Sequence, residues 1–385
     1  MSGAARRLGR IGTVALAAAG GIAIATAATS VLVARTVVTP PSRRKDDIAV
    51  LAVDPDAGTV TLSATEDSRL PGEYGFWFSS DTGYARIGEI LSSTPRTVMR
   101  RLLAVERGDL GSARRGRLSG WLWLGPEGLG LPYEDVRVPT PLGDAPAWRF
   151  PAETPTGRWV IQVHGRAVRR AETLRAVPVF REAGYDSLLV SYRNDGEAPR
   201  STDYRFALGD REWLDVEAGM RYALEHGATE IVLMGWSMGG ATVLQALTRS
   251  PLSRYVTGVA LESPVVDWIA TLDYQGRLLH LPAGVRWGVY ELLKRPWGGL
   301  LTGLAAPIDL GRLDFVARAR ELDRPILLLH SDDDGFVPAT ASHALAQARP
   351  DLVTLERFEG ARHTKLWNYD RERFEGAIRR WLEKL

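Results

Sequence analysis

The chain has 385 residues, of which 45% are hydrophobic and 24% charged, and its formal net charge is +2. This length and composition exclude a short peptide, a coiled-coil rod and a wholly disordered chain, and they allow one large domain with a smaller module. Residues 1–45 carry a charge of +7, which leaves −5 for the rest, so the basic character of the chain does not indicate nucleic-acid binding. The absence of cysteine excludes disulfides, thiolate metal sites and a cysteine nucleophile.

The N-terminal segment predicts a membrane anchor. From Ile11 to Ala34 there are 24 consecutive uncharged residues, which follow three arginines and precede Arg35. A helix rising about 1.5 Å per residue would cross a hydrocarbon core of roughly 30 Å over this length. Two alternatives remain open: a signal peptide cleaved near Ala25-Thr26-Ala27, which would release a secreted protein, and a buried domain helix. We expect a retained anchor with the rest of the chain outside the cytoplasm, although the flanking basic residues nearly balance.

Residues 1–46 therefore form the anchor or signal segment with its linker, and residues 47–133 predict a small β-rich module. Runs at 48–53 and 59–64 flank a turn rich in Asp, Pro and Gly, as in a β-hairpin. Three more strand-like runs follow, at 74–78, 84–90 and 98–105. The sequence does not indicate what this module does.

Residues 134–385 alternate between apolar runs of strand length and amphipathic runs of helix length. The predicted strands are 159–163, 187–191, 230–234, 256–261, 325–330 and 352–357. The predicted helices include 171–183, 211–226, 238–249, 339–348 and 370–384. This alternation predicts an α/β fold with a mostly parallel sheet and helices on both faces.

The motif Gly235-Trp-Ser237-Met-Gly239-Gly240 stands directly after a predicted strand and before an apolar helix. A G-x-S-x-G turn at such a junction exposes its serine on a strained backbone, which favours Ser237 as a nucleophile over a serine that only caps a helix. A serine hydroxyl needs a base that is oriented by an acid. Two later segments supply these groups in the order Asp, His: Ser331–Pro338 and Glu359–Thr364.

From about residue 134 to its end, the chain resembles the α/β-hydrolases of the serine-hydrolase kind, related to the S33 aminopeptidase and lipase-like groups. The resemblance covers the strand order and the motifs. It implies that Asp334 is the triad acid, in a loop beginning at His330 and ending in Val337-Pro338, and that His363 is the base. Asp267, which follows another predicted strand, remains the alternative acid.

The resemblance also extends to His164-Gly165-Arg166, which is similar to the oxyanion loop of the family. It implies that the backbone N–H groups of Arg166 and Met238 stabilise the oxyanion, while His164 supports the loop. Many relatives have a second glycine where this chain has Ala167.

About 50 residues, at 265–314, interrupt the alternation where this family often carries a cap, and they are rich in apolar and aromatic side chains. Such residues pack a cap onto the sheet, and any that line an entrance would suit an acyl chain better than a sugar. The sequence therefore predicts a serine esterase acting on small-molecule or lipid esters.

Two other functions stay open. The first is an S33-like serine peptidase, in which Glu262 or Asp267 would bind the substrate amine. The second is a membrane-tethered interaction protein with an inactive hydrolase fold. The sequence contains no phosphate-binding loop, zinc motif or dinucleotide fingerprint, so we expect no cofactor and no metal. The oligomeric state is not indicated.

Overall fold

The computed structural model of the protein describes residues 2–41 and 44–385, with side chains from residue 20 onward. Residues 42 and 43 of the predicted linker lie outside the described residues. The first element is helix α1 (Ser2–Val38). Its stretch Gly20–Val38 is long and apolar enough, by length and composition, to cross a membrane. Signal sequences and core helices can have the same properties, so this finding alone does not separate the three alternatives for the N-terminal segment.

The β-rich region forms a closed antiparallel barrel with the strand order β1-β2-β5-β4-β3-β6. Its strands are β1 (Ile48–Asp54), β2 (Thr59–Ser63), β3 (Tyr74–Phe78), β4 (Gly83–Ser93), β5 (Thr97–Arg107) and β6 (Arg115–Ser119). The sequence predicted the first five strands but not β6, which closes the barrel by pairing with both β1 and β3. Strand β6 contains a single large apolar residue, Leu118, so it lacks the alternating pattern that reveals a strand.

The larger sheet has eight strands in the order β14-β13-β12-β11-β9-β10-β8-β7. Its strands are β7 (Glu134–Thr140), β8 (Gly143–Phe150), β9 (Arg158–Val163), β10 (Asp186–Val190), β11 (Glu230–Trp236), β12 (Val256–Glu262), β13 (Ile326–Ser331) and β14 (Val353–Phe358). Strands β9 to β14 are parallel, and β7 and β8 form an antiparallel edge. The predicted α/β fold with a mostly parallel sheet is confirmed.

Helices cover both faces of this sheet. After α1 they are α2 (Val177–Glu182), α3 (Trp213–Glu225), α4 (Met238–Arg249), α5 (Trp268–Leu278), α6 (Ala283–Lys294), α7 (Gly299–Thr302), α8 (Thr340–Ala348), α9 (Leu366–Tyr369) and α10 (Arg371–Leu382). One apolar core lies between the sheet and α3 and α4, and a second core lies between the opposite face and α2 and α10. Helices α5, α6 and α7 lie between β12 and β13, where the sequence places the cap.

The last turns of α1 pack into the hydrolase fold. Ala34 and Val38 are fully buried in the core beside α3 and α4. The N–H of Phe206 donates to the Val38 carbonyl at 2.7 Å, and the Ser30 hydroxyl donates to the Val285 carbonyl of α6 at 3.2 Å. The C-terminal end of the helix is thus packed into the domain, while its apolar side chains nearer residue 20 are exposed.

The close approach of α1 and α6 gives a testable difference between two glycines of α6. A methyl group on Gly288 would lie 2.5 Å from the Ser30 hydroxyl oxygen, whereas one on Gly284 would lie 3.5 Å from Thr26 and fit. Both substitutions to alanine gain about 1 kcal/mol of helix propensity, but forcing a methyl into packed space costs about 1–3 kcal/mol. We expect Gly288→Ala to melt several degrees below Gly284→Ala, as measured by thermal unfolding. Equal melting temperatures would contradict this packing of α1 on α6.

Candidate active site

Ser237 lies in the sharp turn between β11 and α4, with φ +51° and ψ −116°. The neighbouring glycines permit this turn. A methyl group on Gly235 would lie 2.5 Å from the Gly239 carbonyl oxygen, and one on Gly240 would lie 2.6 Å from the Cβ of Pro264. Only glycine fits at both positions, so the strained serine conformation predicted from the motif forms here.

Ser237, His363 and Asp334 form one hydrogen-bonded chain at the carboxyl ends of β11, β14 and β13. The Ser237 hydroxyl lies 2.9 Å from Nε2 of His363, and Nδ1 of His363 lies 2.7 Å from a carboxylate oxygen of Asp334. Because the carboxylate accepts a hydrogen bond, Nδ1 carries the proton and Nε2 is left to accept from the serine. The arrangement has the geometry in which a serine is activated by a histidine that an acid orients.

Asp334 is buried and heavily hydrogen-bonded. Its Oδ1 accepts from the N–H groups of Phe336 at 2.8 Å and Val337 at 2.9 Å. Its Oδ2 lies 3.3 Å from Nε2 of His330 and also contacts His363. Burial by itself raises the pKa of this carboxyl, but the two imidazoles outweigh burial and hold the pKa well below its usual range. Asp334 therefore stays ionised beside His363.

The alternative acid, Asp267, serves a different purpose. Its side chain caps α5 by accepting from the N–H of Ala270 at 3.0 Å. The Asp334 loop has two other acids. Asp332 pairs with His343 at 2.7 Å, and Asp333 accepts from the Gly360 N–H at 2.6 Å. The structure thus brings Asp334 rather than Asp267 to His363.

Among the described residues, no group of three or more His, Asp or Glu side chains is placed to hold a metal ion.

The loop after β9 is held rigidly next to the serine. A methyl group on Gly165 would lie 3.2 Å from the Cβ of Ser237, and the Gly165 carbonyl accepts from the Tyr192 hydroxyl at 2.7 Å. His164 stacks on Tyr192 and contacts Asp195 at 3.2 Å, so it supports the loop rather than facing substrate. Ala167 has φ +65°, a conformation that favours glycine, which explains why a glycine suits this position.

Two features of the site do not follow from the sequence motifs. The side chain of Arg166 donates to the carbonyls of Thr36 and Thr39 at the end of α1, at 2.7 and 2.9 Å. Glu172 is buried beside the site, and within the described part of the chain its Oε2 has no hydrogen-bond partner. A lone acid in a predicted helix is typical of a solvated face, so sequence reasoning had no signal for it.

A cavity of about 800 Å³ leads to Ser237 and His363. Its walls come from the last turns of α1, the linker that follows it, the cap helices, the rim of the barrel and the loops that carry Arg166, Phe336 and His363. The apolar side chains that line it include Leu32, Val33, Val37, Leu272, Leu279 and Val289. The cavity is thus largely apolar, and Glu172 lies at its catalytic end.

The barrel contacts the loop that carries His363. The Asn368 side chain donates to the Glu73 carbonyl at 2.7 Å and accepts from buried Arg175 at 2.7 Å. The barrel residues Glu66 and Asp67 form ion pairs with Arg362 and Lys365. The barrel therefore supports the segment on both sides of the base.

The two acids that the sequence offered for binding a substrate amine are occupied elsewhere. Glu262 is fully buried, accepts from the Trp236 indole and from the Leu366 N–H, and has its pKa raised by burial. Asp267 is the α5 cap. Neither lines the cavity.

Comparison with known proteins identifies the class. A family model described as the alpha/beta hydrolase family matches residues 160–377, more than half of the chain. The protein therefore belongs to the α/β-hydrolase family, and its fold is that of an esterase-like hydrolase. A second model, for a domain of unknown function (DUF8805), matches residues 49–119, which are the barrel.

The individual matches are distant. An uncharacterized protein of Bacillus subtilis, YqkD, is 21% identical over 61% of this chain and 73% of its own length. Human protein ABHD12B is 26% identical over 46% of each chain, so the match spans less than half of that relative. The solved structure of a Pyrococcus furiosus esterase, Pf2001, has a TM-score of 0.53 at 17% identity, over 68% of this chain and 94% of its own. This likeness concerns the fold.

Proposed function

We propose that the protein is a carboxylester hydrolase with Ser237 as nucleophile, His363 as base and Asp334 as the acid that orients it. The observation that carries the proposal is the hydrogen-bonded chain of these three side chains, at 2.9 and 2.7 Å, at the end of the apolar cavity. The strained Ser237 backbone supports the same roles.

The proposed cycle has two halves. Nε2 of His363 takes the Ser237 proton as the hydroxyl oxygen attacks the ester carbonyl, and backbone N–H groups of Arg166 and Met238 stabilise the oxyanion. The histidine then protonates the departing alcohol, which leaves an acyl group on Ser237. In the second half a water gives its proton to His363 and attacks the acyl carbon, the acid is released, and the proton returns to Ser237. Asp334 stays ionised throughout and steadies the imidazolium.

We propose apolar acyl esters, including lipid esters, as the substrate class. The leucine and valine side chains that line the cavity offer no hydrogen bonds to a sugar but would bury an alkyl chain favourably, at about 0.8 kcal/mol for each methylene. A volume of about 800 Å³ is ample for such a chain beside the reacting carbonyl.

We also propose that α1 is retained as a membrane anchor and that the catalytic domain lies outside the cytoplasm. Cleavage near Ala27 would remove Thr26, which packs against α6, and would leave the Ser30 contact at a free chain end. The proposed units are residues 1–46 as anchor and linker, 47–133 as the barrel module and 134–385 as the hydrolase domain with a cap at about 265–314.

Ester hydrolysis measured over a series of acyl chain lengths tests the substrate class. We expect the protein to hydrolyse p-nitrophenyl esters, with kcat/KM rising from acetate to chains of eight or more carbons as the cavity fills. Peptides and amino-acid amides with free N-termini serve as the comparison and should be cleaved far more slowly. Cleavage of those peptides with no activity on any ester would contradict the proposal.

An S33-like serine peptidase is the second candidate, and one observation favours it. A methyl group on Gly165 would lie 3.7 Å from Oε2 of Glu172, so this buried carboxylate lies close to the catalytic loop, where it would suit a substrate ammonium group. The third candidate is a membrane-tethered interaction protein with an inactive hydrolase fold, which would hydrolyse neither class of substrate.

A further inference from the structure

The cavity reaches the surface between α1 and the turn that joins α5 to α6. Leu32 of α1 and Leu279 of that turn both line the cavity, yet 67% and 65% of their surfaces are exposed. We call these two side chains the cavity lips. We propose that the lips lie at the surface of the lipid bilayer and that an ester enters from the bilayer, with its acyl chain passing between them. This inference rests on the proposed esterase function.

The length of α1 indicates at which residue of the helix the hydrocarbon core of the bilayer ends. The helix is attached to the protein from about Thr26 to Val38, through the contacts with α6 and the core. The uncharged run starts at Ile11, and the segment from there to Ser30 has 20 residues, about 30 Å of helix. This equals the thickness of a hydrocarbon core, so a span that starts at Ile11 ends close to Ser30, about half a turn before Leu32.

The direction of α6 places the turn between α5 and α6 nearer to the membrane than Leu32. Thr26 faces Gly284 and Ser30 faces Gly288, so α1 and α6 run side by side in the same direction. The turn before Gly284 therefore projects towards the N-terminal, membrane side of α1. That turn presents Leu279, and the preceding residue Leu278 is also exposed.

The neighbouring surface has the composition of a membrane interface. Trp287 of α6, next to the Gly288 that faces Ser30, is exposed, as are Leu278 and Leu279 of the neighbouring turn. Tryptophan is enriched where proteins meet the headgroup region, and exposed leucines favour transfer into the acyl region. Continuity of this surface with a helix of membrane-spanning length indicates a bilayer rather than a protein partner as its occupant.

Fluorescence quenching tests the position of the lips without reference to activity. Because the chain has no cysteine, a single cysteine can carry a fluorophore at one chosen site. The full-length protein would be labelled at Leu279→Cys, at Leu32→Cys or at Leu51→Cys and placed in phosphatidylcholine nanodiscs with nitroxide-labelled lipid. Leu51 is the matched control, a leucine of β1 with 52% of its surface exposed. We expect quenching at least threefold stronger at both lips than at residue 51, and equal quenching would overturn the proposal.

Entry from the bilayer is tested by charging the lips. Two rates are measured for each variant: hydrolysis of a long-chain ester in vesicles and hydrolysis of a soluble short-chain ester. We expect the ratio of the first rate to the second to fall at least tenfold in Leu279→Glu and in Leu32→Glu. The ratio should not change in Leu51→Glu. An unchanged ratio in the lip variants would overturn entry from the bilayer. If the wild type hydrolyses neither ester, the proposed esterase function fails, and the quenching result still decides where the lips lie.

Discussion

The Ser237→Ala variant is expected to lose about 10⁴–10⁶-fold in kcat on esters, because it removes the hydroxyl oxygen that attacks the ester in the proposed cycle. The site would keep His363, the ionised Asp334 and the loop after β9, so KM should change little. The measurement is the hydrolysis of a p-nitrophenyl ester under saturating conditions.

The companion measurement is covalent labelling by a fluorophosphonate probe, which modifies an activated serine. We expect the wild type to be labelled and Ser237→Ala to remain unlabelled. Ser112→Ala is the control, since Ser112 is an exposed serine of the barrel region, and it should behave as the wild type. A folded wild type that resists labelling would support the inactive-hydrolase candidate.

The second large effect is expected for Asp334→Asn, with a loss of about 10⁴-fold in kcat. An amide at this position presents either a neutral oxygen or an N–H to Nδ1 of His363, so the imidazolium loses its stabilising charge and the tautomer with Nε2 free is no longer favoured. Asp333→Asn is the matched control, because Asp333 is the adjacent carboxylate and does not contact His363. A similar loss in both variants would assign the effect to the loop as a whole.

The same variant should change the dependence of stability on pH. The pKa of Asp334 is depressed in the folded protein, so its ionisation stabilises the fold above the ordinary value near 4 and stops doing so as pH falls through the lower folded value. The gap in melting temperature between wild type and Asp334→Asn should therefore shrink steadily as the pH falls below about 4. A gap that widens in acid would show that the folded pKa is not depressed.

Much of the larger sheet and of the candidate site could be predicted from the sequence, because the signals are local. Each parallel strand is a short apolar run bounded by turns, and the strand predicted at 230–234 occurs as β11 (Glu230–Trp236). A residue that directly follows such a strand lies at the carboxyl edge of the sheet. For this reason Ser237, Asp334 and His363 were expected at one edge, and they lie together there.

One strand of the barrel, β6, could not be predicted from local patterns. Strand β6 has no alternating pattern of its own, and it becomes a strand because β1 and β3 each offer it an unpaired edge. Gly116 in β6 is required by a neighbour distant in sequence, since a methyl group there would lie 2.5 Å from the Phe76 ring. Contacts between residues distant in sequence produce no local pattern from which a strand could be predicted.

The N-terminal segment shows most clearly what the sequence determines and what only the tertiary structure decides. The sequence by itself determined that an uncharged, apolar run of 24 residues precedes the domain, because charge and hydropathy are properties of each residue. Only the tertiary structure decided that the last turns of this helix pack against α6 and line the cavity that leads to Ser237. That outcome depends on small side chains such as Ser30 and Gly288 meeting across 258 positions of sequence, and no local pattern encodes such a meeting.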